Sequence, residues 1–108
     1  MSEKLYIVVD ERLPIPQQGI QAAHALSAWA LAHPGEHAHW AEVDNSLVIL
    51  KAPIQTISAI TWELNDQGKS WVVFREPFYK YRITAVALTP GHDLPMLKTL
   101  PLALKDPT

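Results

Sequence analysis

Three residues of this chain combine side chains suited to hydrolytic chemistry with positions that could hold them: Gln21, His24 and Glu76. Gln21 and His24 lie in "PQQGIQAAHALSAWALAH", Pro16 to His33, whose spacing predicts a helix and sets them one turn apart on one face. An amide beside an imidazole can fix its tautomer, which serves a structural or a catalytic role equally well. Glu76 closes the apolar run "SWVVFRE" just before Pro77, and so falls at the mouth of a predicted strand. In open α/β sheets, sites gather outside the carboxyl ends of strands. A carboxylate there can act as a general base or orient a water, or it can simply pair with Arg75 or Arg82 at the surface. His33, His37 and His39 could gather a metal, but they fall in what reads as a loop after the helix. No carboxylate stands at an obvious ligand spacing, so a solvated loop and no metal are expected there.

Composition narrows the classes. A chain of 108 residues with 48% hydrophobic and 19% charged residues can build one core and is short for two, so a single domain over residues 1–108 is expected. Cysteine is absent, which removes disulfide frameworks and thiolate nucleophiles. With four glycines the chain has neither a GxxxxGK[ST] nor a GxGxxG phosphate cradle, and no G-x-S-x-G nucleophile elbow occurs. No cofactor is therefore expected. The opening "MSEKLYIVVDER" does not read as a secretory signal, and no apolar run has the roughly 20 residues of a membrane helix. The expectation is a soluble, cytoplasmic protein. A net charge of −2 argues against a general nucleic-acid coat. The one place for a local basic patch is the segment holding Arg75, Lys80 and Arg82.

These residues need elements to position them. "LYIVV" reads as a buried strand, and "DERLPIPQQG" as an extended loop delivering Pro16 to the first turn of the helix. The helix is expected to bury Ile20, Ala23, Ser27, Ala30 and Leu31, widened by Leu26 and Trp29, and to stop at "HPGEH". "SLVILKA" predicts a second strand buried on both faces. A second helix follows Pro53, with the stripe Ile54, Ile57, Ile60 or Thr61, and Leu64, broken by Asn65–Gly68. "SWVVFRE" and "RITAVALTP" are the third and fourth strands. The proline-rich tail predicts a short helical turn and then an extended end. The order β-α-β-α-β-β argues for an α/β layer with a partly parallel sheet.

Taken together, "YIVV", "QAAHA", "LVILKA" and "VVFREPFYKYRITAVALTPG" resemble the type II peptidyl-tRNA hydrolase family, in an order and spacing that cover almost the whole chain. The resemblance implies a mixed four-stranded sheet flanked by helices in one domain. It also implies an esterase that cleaves the bond between a peptide or blocked amino acid and tRNA. Three departures stand out. Gln17 and Pro16 occupy the place of the family's Lys and Gly, Glu76-Pro77-Phe78 the place of its Asp-Ala-Gly, and "DERL" the place of its Arg-x-Asp-Leu. On this resemblance Glu76, His24 and Gln21 are the catalytic candidates, and Gln17, Lys51, Arg75, Tyr79, Lys80, Arg82 and Thr84 the substrate-binding ones.

Ester hydrolysis needs a positioned water, a base for its proton, and donors facing the oxyanion. Glu76 would be the base or water holder. Gln17, Gln21 and the first N–H groups of the helix would be the donors, and His24 would orient either partner. The "REPFYKYR" run alternates cations with Phe78, Tyr79 and Tyr81, which suits phosphate contacts and stacking of unpaired tRNA ends. As a plain hairpin, the same run would cap the sheet edge with its aromatics and hold its charges in water. Trp29, Trp40 and Trp62 are more aromatic surface than so small a chain hides easily, and a homodimer is expected. The alternative readings are a binding or assembly module that keeps the fold without hydrolysis, and a hydrolase with a changed substrate.

Overall fold

The computed structural model describes residues 3–105. Strands β1 (Leu5–Asp10), β2 (Leu47–Ala52), β3 (Trp71–Glu76) and β4 (Arg82–Leu88) alternate with helices α1 (Ile15–Ala32), α2 (Pro34–Val43) and α3 (Ile54–Asp66). They form a mixed α/β domain with one sheet in the order β2-β1-β4-β3. β1 runs parallel to β2, and β4 runs antiparallel to both β1 and β3. The carboxyl ends of β1, β2 and β3 therefore share one end of the sheet with the start of β4. Alternation along each strand sends Leu5, Ile7, Val9, Ala85 and Ala87 to the face covered by α1 and α2. Val8, Leu50, Val86 and Leu88 go to the face covered by α3. Among the described residues no helix is long and apolar enough to cross a membrane.

The strands and α3 fall close to their expected spans, and α3 buries Ile57, Ile60 and Leu64 as its stripe requires. Helix α1 departs from expectation. Its buried face is Gln18, Gln21, Ala22, Ala25 and Trp29, while Ile20 and Leu31 are 46% and 82% exposed. The reason is close packing: Ala22 and Ala25 sit in one cluster with Ala85 and Ala87 of the sheet, where branched side chains would hold the helix away.

The expected stop at Pro34 is instead a start. His33 ends α1 and precedes α2, with Pro34 in the first turn, where its missing N–H costs nothing. His33, His37 and His39 thus border or lie in a helix rather than a loop. They do not converge: His33 faces Glu36 at 3.4 Å, His39 reaches Glu3 at 3.0 Å, and His37 meets the Trp29 ring. No metal-holding group of histidines and carboxylates occurs among the described residues.

The tryptophans also part from expectation. Trp29 and Trp40 pack edge to face at 6.2 Å inside the core, and their indole N–H groups donate to Thr89 and to the Ser46 carbonyl. Trp62 alone of the three is exposed, at 74%.

Strand β2, expected to be buried on both faces, is an edge strand with Leu47 exposed. Its outer edge is covered by the tail: Leu102 bridges Leu50, Lys51 N–H donates to the Pro101 carbonyl, and Ala103 N–H to that of Ile49. The expected short turn precedes it, as a 3-10 segment at Pro95–Thr99.

Candidate functional site

The shared carboxyl end of the sheet brings Gln17, Gln21, Glu76 and Thr84 together. Gln21 is at its centre and fully buried. Its Nε2 donates to Glu76 Oε1 at 3.0 Å and, at a longer 3.3 Å, to Gln17 Oε1, while its Oε1 accepts from Thr84 Oγ1 at 2.7 Å. Both ends of one amide are thus engaged, which fixes its orientation. One Glu76 oxygen is held by that amide, and the carboxyl group is half-buried at the end of β3.

Thr84 owes its place to a bulge. Phe74 pairs with Ala85 and Arg75 with Ile83, so Thr84 is the extra residue on β4. An extra residue re-aims the side chains beside it. Val86 and Ile83 point toward α3, yet Thr84 reaches α1 and meets Gln21. Expected as a substrate contact, Thr84 is fully buried and acts through Gln21 instead.

His24 sits on the exposed side of α1 and does not join this network. Its ring lies flat on Phe74 at 4.7 Å and 13°, and no hydrogen bond links it to Gln21 or Glu76. The pair anticipated from the sequence is therefore split, with Gln21 inward and His24 outward over β3.

Two residues that sequence reasoning passed over complete this end. Asp10 closes β1 and is fully buried, with Oδ1 accepting from the Arg12 backbone N–H at 3.0 Å and Nε at 3.1 Å, and Oδ2 from Arg12 Nη2 at 2.8 Å. Burial pushes its carboxyl upward, but the Arg12 hydrogen bonds and the charges of Arg12 and Arg82 outweigh it and hold it below the usual carboxylate range. The signal was present in "DERL": an acid ending an apolar strand is the same pattern that singled out Glu76.

The rim is basic and aromatic. Pro77–Tyr79 form a single 3-10 turn, after which Lys80 and Tyr81 both adopt the left-handed conformation, with φ of 56° and 60°. Such φ values cost non-glycine residues about 1 kcal/mol or more each, so the turn is held by its neighbours, including Tyr81 N–H on the Glu76 carbonyl. It projects Phe78, 84% exposed, and Tyr81 into solvent. Tyr79 turns back onto the core, with Arg82 stacked on its ring at 5.4 Å. Arg75 and Lys80 are exposed beside it. Lys51 stands apart on β2, its amine on the Lys105 carbonyl at 3.3 Å. Helix α1 opens at the same end of the sheet with no side-chain cap and no acid in its first turn; Pro16 has no N–H and the Gln18 N–H donates to the Pro14 carbonyl, so the N–H groups left to face an anion are those of Ile15 and Gln17.

The opposite end of the sheet holds a different feature, a hollow of about 230 Å³ lined by Lys4, Tyr6, His92, Asp93 and Lys98 among others. His92 packs edge-on to Tyr6, and neither of its buried ring nitrogens has a hydrogen-bond partner among the described residues. Burial and the nearby Lys69 push its pKa down, against the opposing pull of Asp93. No protein-family model and no curated protein sequence matches the chain.

Proposed function

We propose that this chain is a divergent relative of the type II peptidyl-tRNA hydrolases, acting on the ester between a blocked amino acid or peptide and the terminal ribose of tRNA. The observation that carries the reading is the Thr84–Gln21–Glu76 chain of hydrogen bonds, which aims a half-buried carboxylate outward at the carboxyl end of the sheet. The mixed four-stranded sheet with flanking helices is also the fold that the sequence resemblance leads one to expect.

In this reading Glu76 holds a water and takes its proton. Gln21 keeps Glu76 in place rather than touching the substrate, because it is fully buried. The uncapped start of α1 supplies N–H donors toward the developing oxyanion. Phe78 and Tyr81 offer stacking surfaces for unpaired bases, with Arg75, Lys80 and Arg82 beside them for phosphates. A tRNA substrate would place the protein in the cytoplasm.

A second reading, a binding module without hydrolysis, is favoured by Gln17. Where the family carries a lysine, this chain has an uncharged amide that accepts from Gln21, so the site lacks that cation. Hydrolysis of an N-blocked aminoacyl-tRNA by the purified protein separates the two. Turnover that falls about 100-fold or more in Glu76→Gln, with the fold intact, supports the esterase. His24→Ala should change turnover little, since its ring touches neither Gln21 nor Glu76. Absence of turnover in the parent protein, with tRNA still bound, selects the binding module, and absence of both sets the tRNA reading aside.

A further inference from the structure

We propose that the hollow of about 230 Å³ between the amino end of β1 and the segment after β4 binds a small organic acid, whose carboxylate pairs with Lys4 and Lys98 and accepts from His92. His92 is the residue that asks for a ligand. Neither of its ring nitrogens has a hydrogen-bond partner among the described residues, and both are buried although the residue as a whole is only half-buried. Buried polar atoms are nearly always paired, because leaving them unpaired costs free energy on folding. A ligand that pairs with one of them offsets that cost when it binds.

The loop that delivers His92 is held in place. Gly91, at a φ of 99° that side chains rarely adopt, turns the chain after Pro90. Gln67 then grips the next backbone unit at both groups. Its Nε2 donates to the Asp93 carbonyl at 2.6 Å, and the Asp93 N–H donates to its Oε1 at 3.1 Å. The imidazole is thereby kept at the wall of the hollow, edge-on to Tyr6 at 5.7 Å. The χ2 torsion of a histidine has a broad minimum, so a small turn of the ring brings a nitrogen round to the hollow at little cost.

Charge and size choose the class of ligand. Lys4 and Lys98 line the hollow against one carboxylate, Asp93, and no salt bridge engages either amine among the described residues. Lys4 also acts on Asp44, whose carboxylate is already engaged by the Glu3 and Ser46 N–H groups. The lining therefore has a single positive charge in excess, which one carboxylate balances and a phosphate dianion would exceed. At about 230 Å³ the hollow is smaller than the roughly 300–1,000 Å³ of pockets for drug-sized ligands. Tyr6, Leu94 and Leu97 give it an apolar wall for the body of a small acid. The hollow lies at the opposite end of the sheet from Glu76, so the proposal does not rest on the hydrolase reading.

Isothermal titration calorimetry of the full chain with benzoate and butyrate, beside the uncharged benzamide and butyramide, tests it. At least one acid should bind about tenfold or more tighter than its amide. His92→Phe keeps a ring against Tyr6 and should weaken that binding about tenfold or more, and Lys98→Gln, at an exposed position, about threefold or more. Burial and Lys69 push the pKa of the free imidazole down, and a bound carboxylate raises it again. Binding therefore takes up a proton, and affinity in the parent should rise as pH falls from about 8 to about 6. The other titratable groups around the ring are Lys4 and Tyr6 at β1, Lys69 between α3 and β3, Asp93 beside it and Lys98 in the 3-10 segment. Two acids that bind no better than their amides overturn the proposal. So does an affinity unchanged in His92→Phe or, should that variant fail to fold, unchanged in Lys98→Gln.

Discussion

The two ends of the sheet bury polar side chains on opposite terms. At the carboxyl end Gln21 is fully buried with both amide ends engaged, and Asp10 is fully buried against Arg12. At the other end His92 has two buried nitrogens with no partner among the described residues. Burying a polar group is tolerable when its hydrogen bonds are replaced and costly when they are not. The difference separates a network that rigidifies its end of the fold from a group that weakens its own.

The largest effects should come from breaking the satisfied end. Gln21→Leu leaves the Thr84 hydroxyl buried without an acceptor and should destabilise the fold by about 2–3 kcal/mol, read as a lower urea midpoint. Thr84→Val, a change of similar shape, orphans the Gln21 carbonyl oxygen alone and should cost about 1–2 kcal/mol. The double variant sharpens the point. Removing both partners leaves neither stranded, so its loss should be clearly smaller than the sum of the two. A fully additive result would mean that the Thr84–Gln21 bond contributes nothing beyond packing.

The unsatisfied end should respond in the opposite direction. His92→Phe keeps an aromatic ring against Tyr6 and removes both orphaned nitrogens, and should stabilise the protein by about 1 kcal/mol at neutral pH. A destabilised His92→Phe protein would show that those nitrogens have a use in solution, and the contrast between the two ends would collapse.

These contrasts were only partly legible in the sequence. Strand positions came through because β-branched runs bounded by proline and charge have few other fates, and α3 because its isoleucines keep a strict helical period. Helix α2 was hidden: Trp40 is its one buried residue, so it has almost no apolar period to read. Pro34 looked like a stop although proline fits the first turn of a new helix as well. The face of α1 was misplaced because the choice depended on the alanines of β4, a tertiary match that no local pattern encodes. Gln21 and Glu76 were identified as neighbours of a site, but the orientation of the Gln21 amide that joins them is set by Thr84, which reaches it through a bulge that shows only once β3 and β4 are paired. The separation of Gln21 from His24 follows from where the buried face of α1 lies, since the two are about 60° apart around the helix and the edge of that face falls between them.

The smallest expected effects are also the most diagnostic, because the two ends titrate in different windows. His92 has a folded pKa below its ordinary value near 6.5, so the folded state binds its proton less readily than the unfolded chain does. Stability from this group is complete above about pH 6.5 and declines as pH falls through the lowered folded value. Asp10 also has a lowered pKa, but from an ordinary value of 3.8, so its contribution holds at all higher pH and is lost only below that. Urea unfolding from pH 8 to pH 3 should therefore show the first decline abolished in His92→Phe and unchanged in Arg12→Met. Arg12→Met removes the two guanidinium hydrogen bonds and the adjacent charge that lower the Asp10 pKa, and leaves the backbone N–H of residue 12 in place. It should raise the Asp10 pKa and bring acid unfolding to a higher pH, while leaving the His92 window in place. A variant at one end that moved the window of the other would mean that the core of the sheet couples them, and that the two ends are not independent.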